Sequence, residues 1–180
     1  MRIYSGSEKG RRLHARSSPG LRPTSDKVKE ALFNILASRV EGASFLDLFA
    51  GTGNIGLEAL SRGAALCVFV ERSRASLALL RRNLQSTGLE GMVLAMEVKT
   101  ALVRLEEKGL RFRLVFLDPP YERGLIAPTL ASLHRSSLLE ADAIIVAEHS
   151  LREEAVVEDL SRIRTYRYGD TALTLWQQLR

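Results

Sequence analysis

Residues 45–56 read Phe-Leu-Asp-Leu-Phe-Ala-Gly-Thr-Gly-Asn-Ile-Gly. The apolar run at the start of this stretch predicts a buried strand, and the segment from Gly51 to Gly56 has the spacing G-x-G-x-x-G. Helical periodicity then continues until Gly63 ends it. A glycine loop between a buried strand and a helix is typical of α/β sheets that bind a nucleoside at the carboxyl ends of their strands. A tight strand-to-helix turn without a ligand is the plainer interpretation of the same residues.

An acidic residue follows this loop at the distance that the nucleoside-binding pattern requires. Glu71 lies twenty residues beyond Gly51, at the end of the next predicted strand, 66–71. We expect its carboxylate to accept hydrogen bonds from both hydroxyls of a ribose. Gly51 and Gly53 have no Cβ atom, so the backbone can pass beneath the nucleoside without a collision.

The charge of Asp47 indicates which nucleoside binds. This carboxylate lies within the first strand, four residues before Gly51. It would repel the pyrophosphate of a dinucleotide, whereas it would stabilise a cationic ligand. S-adenosylmethionine carries a sulfonium and an ammonium group and has no phosphate. The segment 47–53 therefore favours S-adenosylmethionine over a nicotinamide dinucleotide.

Strands and helices alternate beyond the glycine loop. Apolar runs predict strands at 92–97, 114–118 and 143–148, with helices between them, and uninterrupted apolar strands indicate a parallel sheet covered on both faces. Residues 162–168 and 171–179 instead alternate polar and apolar residues across Gly169-Asp170, which predicts an antiparallel hairpin with a type II′ turn. The predicted fold is an α/β, doubly wound, seven-stranded sheet that ends in a C-terminal hairpin.

The segment Asp118-Pro119-Pro120-Tyr121 follows the fourth predicted strand and suggests the reaction. The amino group of a nucleobase is a poor nucleophile because its lone pair is delocalised into the ring. The Asp118 carboxylate and the Pro119 carbonyl can each accept one of its N–H groups, and the two prolines hold these acceptors in extended backbone. Tyr121 offers a ring on which a flipped base can stack. A proline-rich strand exit with a packing tyrosine is the alternative.

Composition excludes several other classes of protein. The 180 residues are 46% hydrophobic and 26% charged, as in a single soluble domain. No apolar run is long enough to cross a bilayer, and the first residues lack the apolar core of a secretory signal. Cys67 is the only cysteine, which excludes a disulfide framework and a multi-cysteine zinc site. We expect a cytoplasmic protein without a metal.

The net charge of +5 is concentrated at the N-terminus. Residues 1–29 contain eight basic and two acidic residues, so the rest of the chain is nearly neutral. A basic arm can neutralise nucleic-acid phosphates, although a solvated tail explains the charge equally well. Gly6, Gly10 and Gly20 disfavour regular structure in this arm beyond a short strand or two.

The chain resembles a known family over nearly its whole length, the bacterial 16S ribosomal RNA guanine-N2 methyltransferases of the RsmD type. The resemblance rests on five segments that read RPTSDKVKE (22–30), DLFAGTG (47–53), GLEALSRG (56–63), DPPY (118–121) and YGDTAL (168–173). It implies the class I methyltransferase fold, S-adenosylmethionine as methyl donor, and one guanine of small-subunit ribosomal RNA as acceptor. It also implies that the segment around Thr24 holds the methionine end of the cofactor and that Glu71 binds its ribose.

One position departs from the family pattern. After the third strand such enzymes commonly have Asp or Asn to meet the adenine amino group, whereas this chain has Glu97, which is one methylene longer. Arg72 is expected to contribute to the wall of the adenine pocket. The residues expected to bind the cofactor are Thr24, Asp47, Phe49, Gly51, Gly53, Asn54, Glu71, Arg72 and Glu97, and those expected in catalysis are Asp118, Pro119 and Tyr121.

The basic arm is expected to bind ribosomal RNA phosphates, with its glycines letting it follow the RNA surface. The arginines assigned to this contact are Arg11, Arg12, Arg16 and Arg22. We expect a basic arm over 1–22, one methyltransferase domain over 23–180, a monomer, and a 30S subunit or assembly intermediate as the substrate particle. Three alternatives stay open, namely a DNA adenine-N6 methyltransferase, a protein-glutamine methyltransferase and a non-enzymatic RNA-binding module.

Overall fold

The computed structural model describes residues 1–15, 26–120, 123–153, 157 and 160–178. The helices are α1 (Asp26–Leu36), α2 (Asn54–Ser61), α3 (Arg74–Thr87), α4 (Val98–Glu107) and α5 (Ile126–Arg135). The strands are β1 (Ser44–Leu48), β2 (Leu66–Glu71), β3 (Met92–Ala95), β4 (Phe112–Leu117), β5 (Leu139–Ser150), β6 (Leu160–Tyr168) and β7 (Thr171–Gln178). Helices and strands alternate as predicted, and β5 extends beyond both ends of the predicted 143–148.

The seven strands form one sheet in the order β3-β2-β1-β4-β5-β7-β6. Strands β1 to β5 pair in parallel, and β7 pairs antiparallel with both β5 and β6. The predicted doubly wound sheet with a C-terminal hairpin is confirmed. The direction of winding reverses between β1 and β4, and ligands of open α/β sheets bind beside the carboxyl ends of the strands at this point.

Helices cover both faces of the sheet because side chains alternate between the faces along each strand. In β1, Phe45 belongs to a core with α1, α2 and α3, whereas Leu46 and Leu48 belong to a second core with α4 and α5. Phe69 and Phe116 extend the first core on the neighbouring strands. The two cores fix the carboxyl ends of β1 and β4 relative to each other.

The N-terminal segment, residues 1–15, is docked on the domain and contains a short strand pairing, the only kind of regular structure that the sequence favoured there. The Ile3 and Gly10 amides and the Ile3 and Arg11 carbonyls form a short antiparallel pairing, and Ile3 is fully buried. Gly6 lies against α2 so closely that a Cβ atom there would be 1.6 Å from the Ser61 carbonyl oxygen. This glycine therefore permits docking of the segment. The expected boundary after residue 22 lies outside the described residues.

Strands β6 and β7 are joined by the predicted two-residue loop. Gly169 has φ of +60°, a conformation that glycine adopts without strain and that the first position of a type II′ turn requires. Among the described residues, no helix has both the length and the apolar character needed to cross a bilayer.

Candidate active site

The backbone turns sharply where β1 ends. Phe49 has φ of +63°, a left-handed conformation that is uncommon for a non-glycine residue, and its half-buried side chain packs on the second core. Gly51 follows with φ of +57°, and no atom lies within 4 Å of the place where its Cβ would be. Gly53 has φ of +84° and begins α2. The loop thus exposes bare backbone at Gly51, where a nucleoside could approach closely.

Asp47 lies beneath this loop and is almost fully buried at 2% exposure. Its Oδ2 accepts a hydrogen bond from the Gly56 N–H at 2.9 Å, in the first turn of α2. Burial raises the pKa of Asp47 to about 7, although the Gly56 hydrogen bond opposes this shift. The predicted direct contact between Asp47 and a cofactor stays a prediction. The structure shows a carboxylate that connects the strand to the helix.

Glu71, at the end of β2, holds two loops together. Its Oε2 accepts from the Gly51 N–H at 2.8 Å, and its Oε1 accepts from the N–H groups of Arg72 and Ser73 at 2.8 and 2.7 Å. Two carboxylate oxygens offer about four acceptor positions. Because three are filled by backbone, Glu71 both shapes the glycine loop and retains capacity for a hydroxyl group.

Arg72 and Glu97 form an ion pair across the ends of β2 and β3. The Arg72 Nη1 and the Glu97 Oε1 lie 2.6 Å apart, and both side chains are more than 60% exposed. The bond to Glu97 raises the pKa of Arg72. The pair joins the loop after β2, next to Glu71, to the loop after β3. The predicted contact of Glu97 with an adenine is untested by this geometry.

Asn54 opens α2 immediately after the glycine loop and is 7% exposed. Its Oδ1 accepts from the Lys29 Nζ at 3.0 Å. Among the described residues its Nδ2 has no hydrogen-bond partner, although it is buried. Buried polar groups are nearly always paired, so an unpaired amide donor beside the glycine loop indicates a place for an acceptor.

A buried ion pair that was not predicted lies beside Asn54. Lys29 and Glu58 are both fully buried, with Lys29 Nζ 3.1 Å from Glu58 Oε2. Burial lowers the pKa of Lys29. The signal was present in the sequence, since helical periodicity places Lys29 among Val28, Leu32 and Phe33 on the apolar face of α1.

Asp118 and Pro119 leave the sheet next to the glycine loop. The register pairs Leu48 with Leu117, so Phe49 and Asp118 leave adjacent parallel strands at the same level. Asp118 is half-buried and Pro119 is buried. Neighbouring strands lie about 4.8 Å apart. The structure therefore brings the predicted acceptor pair and the predicted cofactor loop to one edge of the sheet.

Four predicted site residues, namely Thr24, Tyr121, Arg16 and Arg22, lie outside the described residues. Arg11 and Arg12 lie on the docked N-terminal segment and are exposed. The Arg11 Nε is 3.2 Å from the Glu8 Oε2, and Arg12 pairs with Arg2 in an isolated β-bridge. Their predicted contact with RNA phosphates is untested by the structure.

The described end of the N-terminal segment reaches the glycine loop. The Asn83 Oδ1 accepts from the His14 N–H at 2.7 Å, and the Asn83 Nδ2 donates to the carbonyls of His14 and Thr52 at 3.0 and 2.9 Å. One fully buried side chain on α3 therefore joins the segment to the loop. This connection was not predicted.

Known proteins resemble this chain over almost its full length. The family model described as conserved hypothetical protein 95 matches residues 1–177. A putative rRNA methyltransferase, YlbH of Bacillus subtilis, is 38% identical over 182 residues, which cover 99% of each chain. Ribosomal RNA small subunit methyltransferase D of Escherichia coli K12 is 38% identical over 180 residues, covering 99% of this chain and 90% of the relative.

Solved structures of putative methyltransferases are also similar to this chain. A putative methyltransferase from Escherichia coli, yhhF, is 38% identical and superposes with a TM-score of 0.86, covering 99% of this chain and 97% of that one. SMU.776, a putative methyltransferase complexed with SAH, is 14% identical with a TM-score of 0.66, covers 84% of this chain and 49% of that one, and shares the fold. The chain thus belongs to the conserved hypothetical protein 95 family, the RsmD family that its sequence resembles.

Proposed function

We propose that this protein transfers a methyl group from S-adenosylmethionine to the exocyclic N2 amino group of one guanine in 16S ribosomal RNA. The observation that carries the proposal is the pairing of β1 with β4, which places Asp118-Pro119 beside the glycine loop. Relatives named as rRNA methyltransferases support RNA as the substrate class, and the guanine N2 position is the family expectation.

The residues around the glycine loop fit S-adenosylmethionine. The buried Asn54 Nδ2, which has no partner among the described residues, can donate to a carboxylate, and Gly51 leaves its surroundings open. Glu71 retains acceptor capacity for one ribose hydroxyl, and Asp47, when ionised, supplies negative charge for a cation. When bound, the cofactor supplies an electrophilic methyl group on a positively charged sulfur.

The protein's contribution to the reaction is the positioning of the amino group. In our proposal the Asp118 carboxylate and the Pro119 carbonyl each accept one N–H of the guanine amino group, so that its lone pair is directed away from both acceptors. The prolines at 119 and 120 lack N–H groups and have fixed φ, so these acceptors need little reorganisation. After methyl transfer, Asp118 or water accepts the proton that the nitrogen loses.

The remaining assignments concern the substrate particle and the place of the reaction. We propose that Thr24 contributes to the cofactor site and Tyr121 stacks on the flipped guanine. In this proposal, Arg11, Arg12, Arg16 and Arg22 contact RNA phosphates of a 30S subunit or assembly intermediate. The protein would act as a cytoplasmic monomer without a metal, since its substrate is ribosomal RNA and the proposed chemistry needs only positioned acceptors.

Replacement of Asp118 tests the mechanism. Asp118→Ala is expected to lower kcat by about 10²- to 10⁴-fold, because a positioned acid–base group contributes this much. The cofactor Kd should be nearly unchanged, as measured by calorimetric titration. Asp142→Ala is the matched control, since Asp142 is an exposed carboxylate paired with Arg113 near the start of β5. Near-normal turnover in Asp118→Ala would overturn the assignment.

The substrate class is tested by tritiated methyl transfer to RNA, DNA and protein in parallel. Label is expected in 16S RNA and in the N2 position of guanine after nuclease digestion. Comparing 30S particles, stripped 16S RNA and a hairpin fragment then identifies the form of substrate. Label in adenine of DNA, or in glutamine of a protein, would replace the proposed function with the corresponding alternative.

A further inference from the structure

A cavity of about 310 Å³ lies on β5, β7 and β6, the strands at one side of the sheet, and none of the proposed active-site residues lines it. All of the residues that line it come from β5, β6, β7 or the turn after β5. The polar ones are His149, Arg162, Thr165, Arg167 and Thr174. This cavity has no role in the proposed reaction.

The floor of the cavity satisfies its own hydrogen bonds. The His149 Nδ1 lies 2.8 Å from the Ser150 carbonyl oxygen, so this nitrogen must donate. In the neutral ring the Nε2 then accepts from the Thr174 hydroxyl at 2.8 Å, which leaves the Thr174 oxygen to accept from the Thr165 hydroxyl at 2.9 Å. The floor is thus a hydrogen-bonded chain of side chains across three strands.

In the part of the chain that the structure describes, the arginines at the rim have no such partners. Arg162 and Arg167 are exposed, and within the described ranges neither forms an ion pair. Strands β6 and β7 contain no acidic residue. These two guanidinium groups, which have no ion-pair partner among the described residues, form a positive surface, and guanidinium groups bind phosphate in a bidentate geometry.

A bulge in β6 places these arginines on one face. Arg162 and Thr165 are three residues apart, so a regular strand would put them on opposite faces. The register shifts between Arg162 and Arg164, so Arg162 pairs with Trp176 while Thr165 pairs with Thr174. Arg162, Thr165 and Arg167 therefore face the same cavity. Bulges commonly re-aim side chains in this way near functional sites.

The Arg167 end of the positive surface lies at the same edge of the sheet as Asp118, whereas Arg162 lies lower, at the level of Trp176 on β7 and Ile145 on β5. Arg167 pairs with Ala172 on β7, which pairs with His149 on β5, one residue beyond the level that Asp118 occupies after β4. Three strand spacings of about 4.8 Å separate β4 from β6, a distance of about 14 Å. A nucleic-acid strand advances about 3.4 Å per phosphate along its axis, so 14 Å corresponds to about four nucleotides.

We propose that Arg162 and Arg167 bind the sugar–phosphate backbone of the substrate RNA, beginning about four nucleotides from the modified guanine. This inference rests on the proposed function, because it locates the RNA from the position of Asp118. In the strand order Asp118 lies between this surface and the N-terminal segment, which contacts α2 and α3.

The test compares Arg162→Ala/Arg167→Ala with Arg164→Ala. Arg164 lies on the other face of the same strand, 5.1 Å above the Tyr166 ring, so it provides a matched loss of exposed positive charge. Binding to 16S RNA and 30S particles is measured by filter retention without cofactor, over a series of salt concentrations. Cofactor Kd by calorimetry and kcat at saturating RNA are measured for the same proteins.

We expect the double variant to bind RNA about tenfold or more weakly at 0.1 M salt and to reduce the salt slope by about two. Its cofactor Kd and kcat should be unchanged, and Arg164→Ala should stay within about twofold of the wild type. Equal losses in both variants, unchanged RNA affinity in the double variant, or aggregation with unchanged affinity of the remaining monomer would overturn the proposal. The last outcome would mean that the arginines only protect an exposed edge strand.

Failure of the proposed function would be seen separately. RNA binding is measured without cofactor and without turnover, so a wild-type protein that binds RNA through these arginines but methylates nothing would refute the reaction and retain the RNA contact. Conversely, wild-type methylation of 16S RNA with unchanged binding by the double variant would retain the reaction and refute the contact.

Discussion

The glycine loop and the N-terminal segment are both attached to the domain through buried carboxylates, but their hydrogen bonds differ in completeness. Glu58, which holds the segment, accepts from the Tyr4 and Ser5 N–H groups and also contacts Lys29 and Arg62. Both of its oxygens thus have two donors. Asp47, which supports the loop, accepts from the Gly56 N–H, the one hydrogen bond seen for it in the described part of the chain.

This difference indicates that Glu58 only attaches the N-terminal segment, whereas the surroundings of Asp47 are suited to a ligand. Glu58 has four donors that satisfy its buried oxygens, whereas Asp47 has a single donor, and burial raises the pKa of Asp47. The Asn54 Nδ2, which has no hydrogen-bond partner among the described residues, resembles Asp47 in this respect. Hydrogen bonding is therefore incomplete at the glycine loop, where the cofactor is proposed to bind. At the N-terminal segment it is complete without a ligand.

The largest effect is expected from replacing Glu58, the carboxylate whose hydrogen bonds are complete. Glu58→Gln leaves the buried Lys29 without its counter-charge and should lower the free energy of unfolding by about 3–5 kcal/mol. Urea denaturation followed by circular dichroism measures this loss. In Lys29→Met/Glu58→Gln no buried ammonium is left unpaired, so the double variant should recover part of the stability.

A loss below about 1 kcal/mol in Glu58→Gln would contradict this interpretation of the pair. It would mean that water reaches Lys29 and that the segment is held mainly by Ile3 and Leu13 in the core. Deletion of residues 1–20 cannot replace this test, because it also removes those core side chains.

The next largest effect concerns Asp47. Its folded pKa of about 7 lies above the ordinary value of 3.8, so the folded protein binds this proton more tightly than the unfolded chain does. The stabilising contribution of the protonated group is complete below about pH 4 and is lost as the pH rises through about 7. Each pH unit in that window removes up to about 1.4 kcal/mol.

Asp47→Asn should therefore equal the wild type in stability near pH 4 and exceed it by about 2–4 kcal/mol at pH 8. Denaturation at both pH values measures the difference. The same variant should bind S-adenosylmethionine about tenfold more weakly, with a smaller loss for S-adenosylhomocysteine, which lacks the sulfonium charge. Equal losses for both ligands would show that Asp47 acts only through the Gly56 hydrogen bond.

The sequence was sufficient to predict the loop but not the segment. Apolar runs and glycine spacing predicted β1, α2 and β2 to within one or two residues, because these elements follow from local periodicity. The docking of residues 1–15 depends on two isolated apolar residues, Ile3 and Leu13, which have no periodic pattern. Only the surface of α2 around Ser61 explains why Gly6 is needed there.

The candidate site was predictable in its location and less so in its contacts. Strand order places Asp118 next to the glycine loop, and this follows from the alternation of strands and helices. The partners of Asp47 and Glu71 did not follow, because a sequence does not show which backbone N–H groups lie within reach of a carboxylate. Both residues were expected to face a ligand, and both also hold backbone in place.

Alanine is expected to cost more stability at Gly53 than at Gly51, and more cofactor affinity at Gly51 than at Gly53. At Gly53 an added Cβ would lie 2.4 Å from Leu80 Cδ1, with φ of +84°, so Gly53→Ala should cost about 2–3 kcal/mol of stability. At Gly51 the surroundings are open, and Gly51→Ala should cost about 1–2 kcal/mol, chiefly from its positive φ.

Cofactor affinity should follow the opposite order. The Cβ added in Gly51→Ala would enter the space proposed for the nucleoside and raise the cofactor Kd by about tenfold or more, whereas Gly53→Ala points into the core and should have less effect. Calorimetry at a temperature where both variants are folded measures this. Parallel losses of stability and affinity at both positions would mean that the loop does not face the ligand at Gly51.

The smallest effect is expected at the exposed ion pair of Arg72 and Glu97. Glu97→Ala should raise the cofactor Kd about three- to tenfold if its carboxylate meets the adenine amino group, the size of one hydrogen bond. Arg72→Ala removes the same ion pair but leaves the carboxylate in place, so its cofactor Kd should change less. Equal changes in both variants, in a calorimetric titration, would show that the ion pair matters and that the carboxylate has no contact of its own. Because both side chains are largely exposed, neither change should alter the unfolding midpoint measurably.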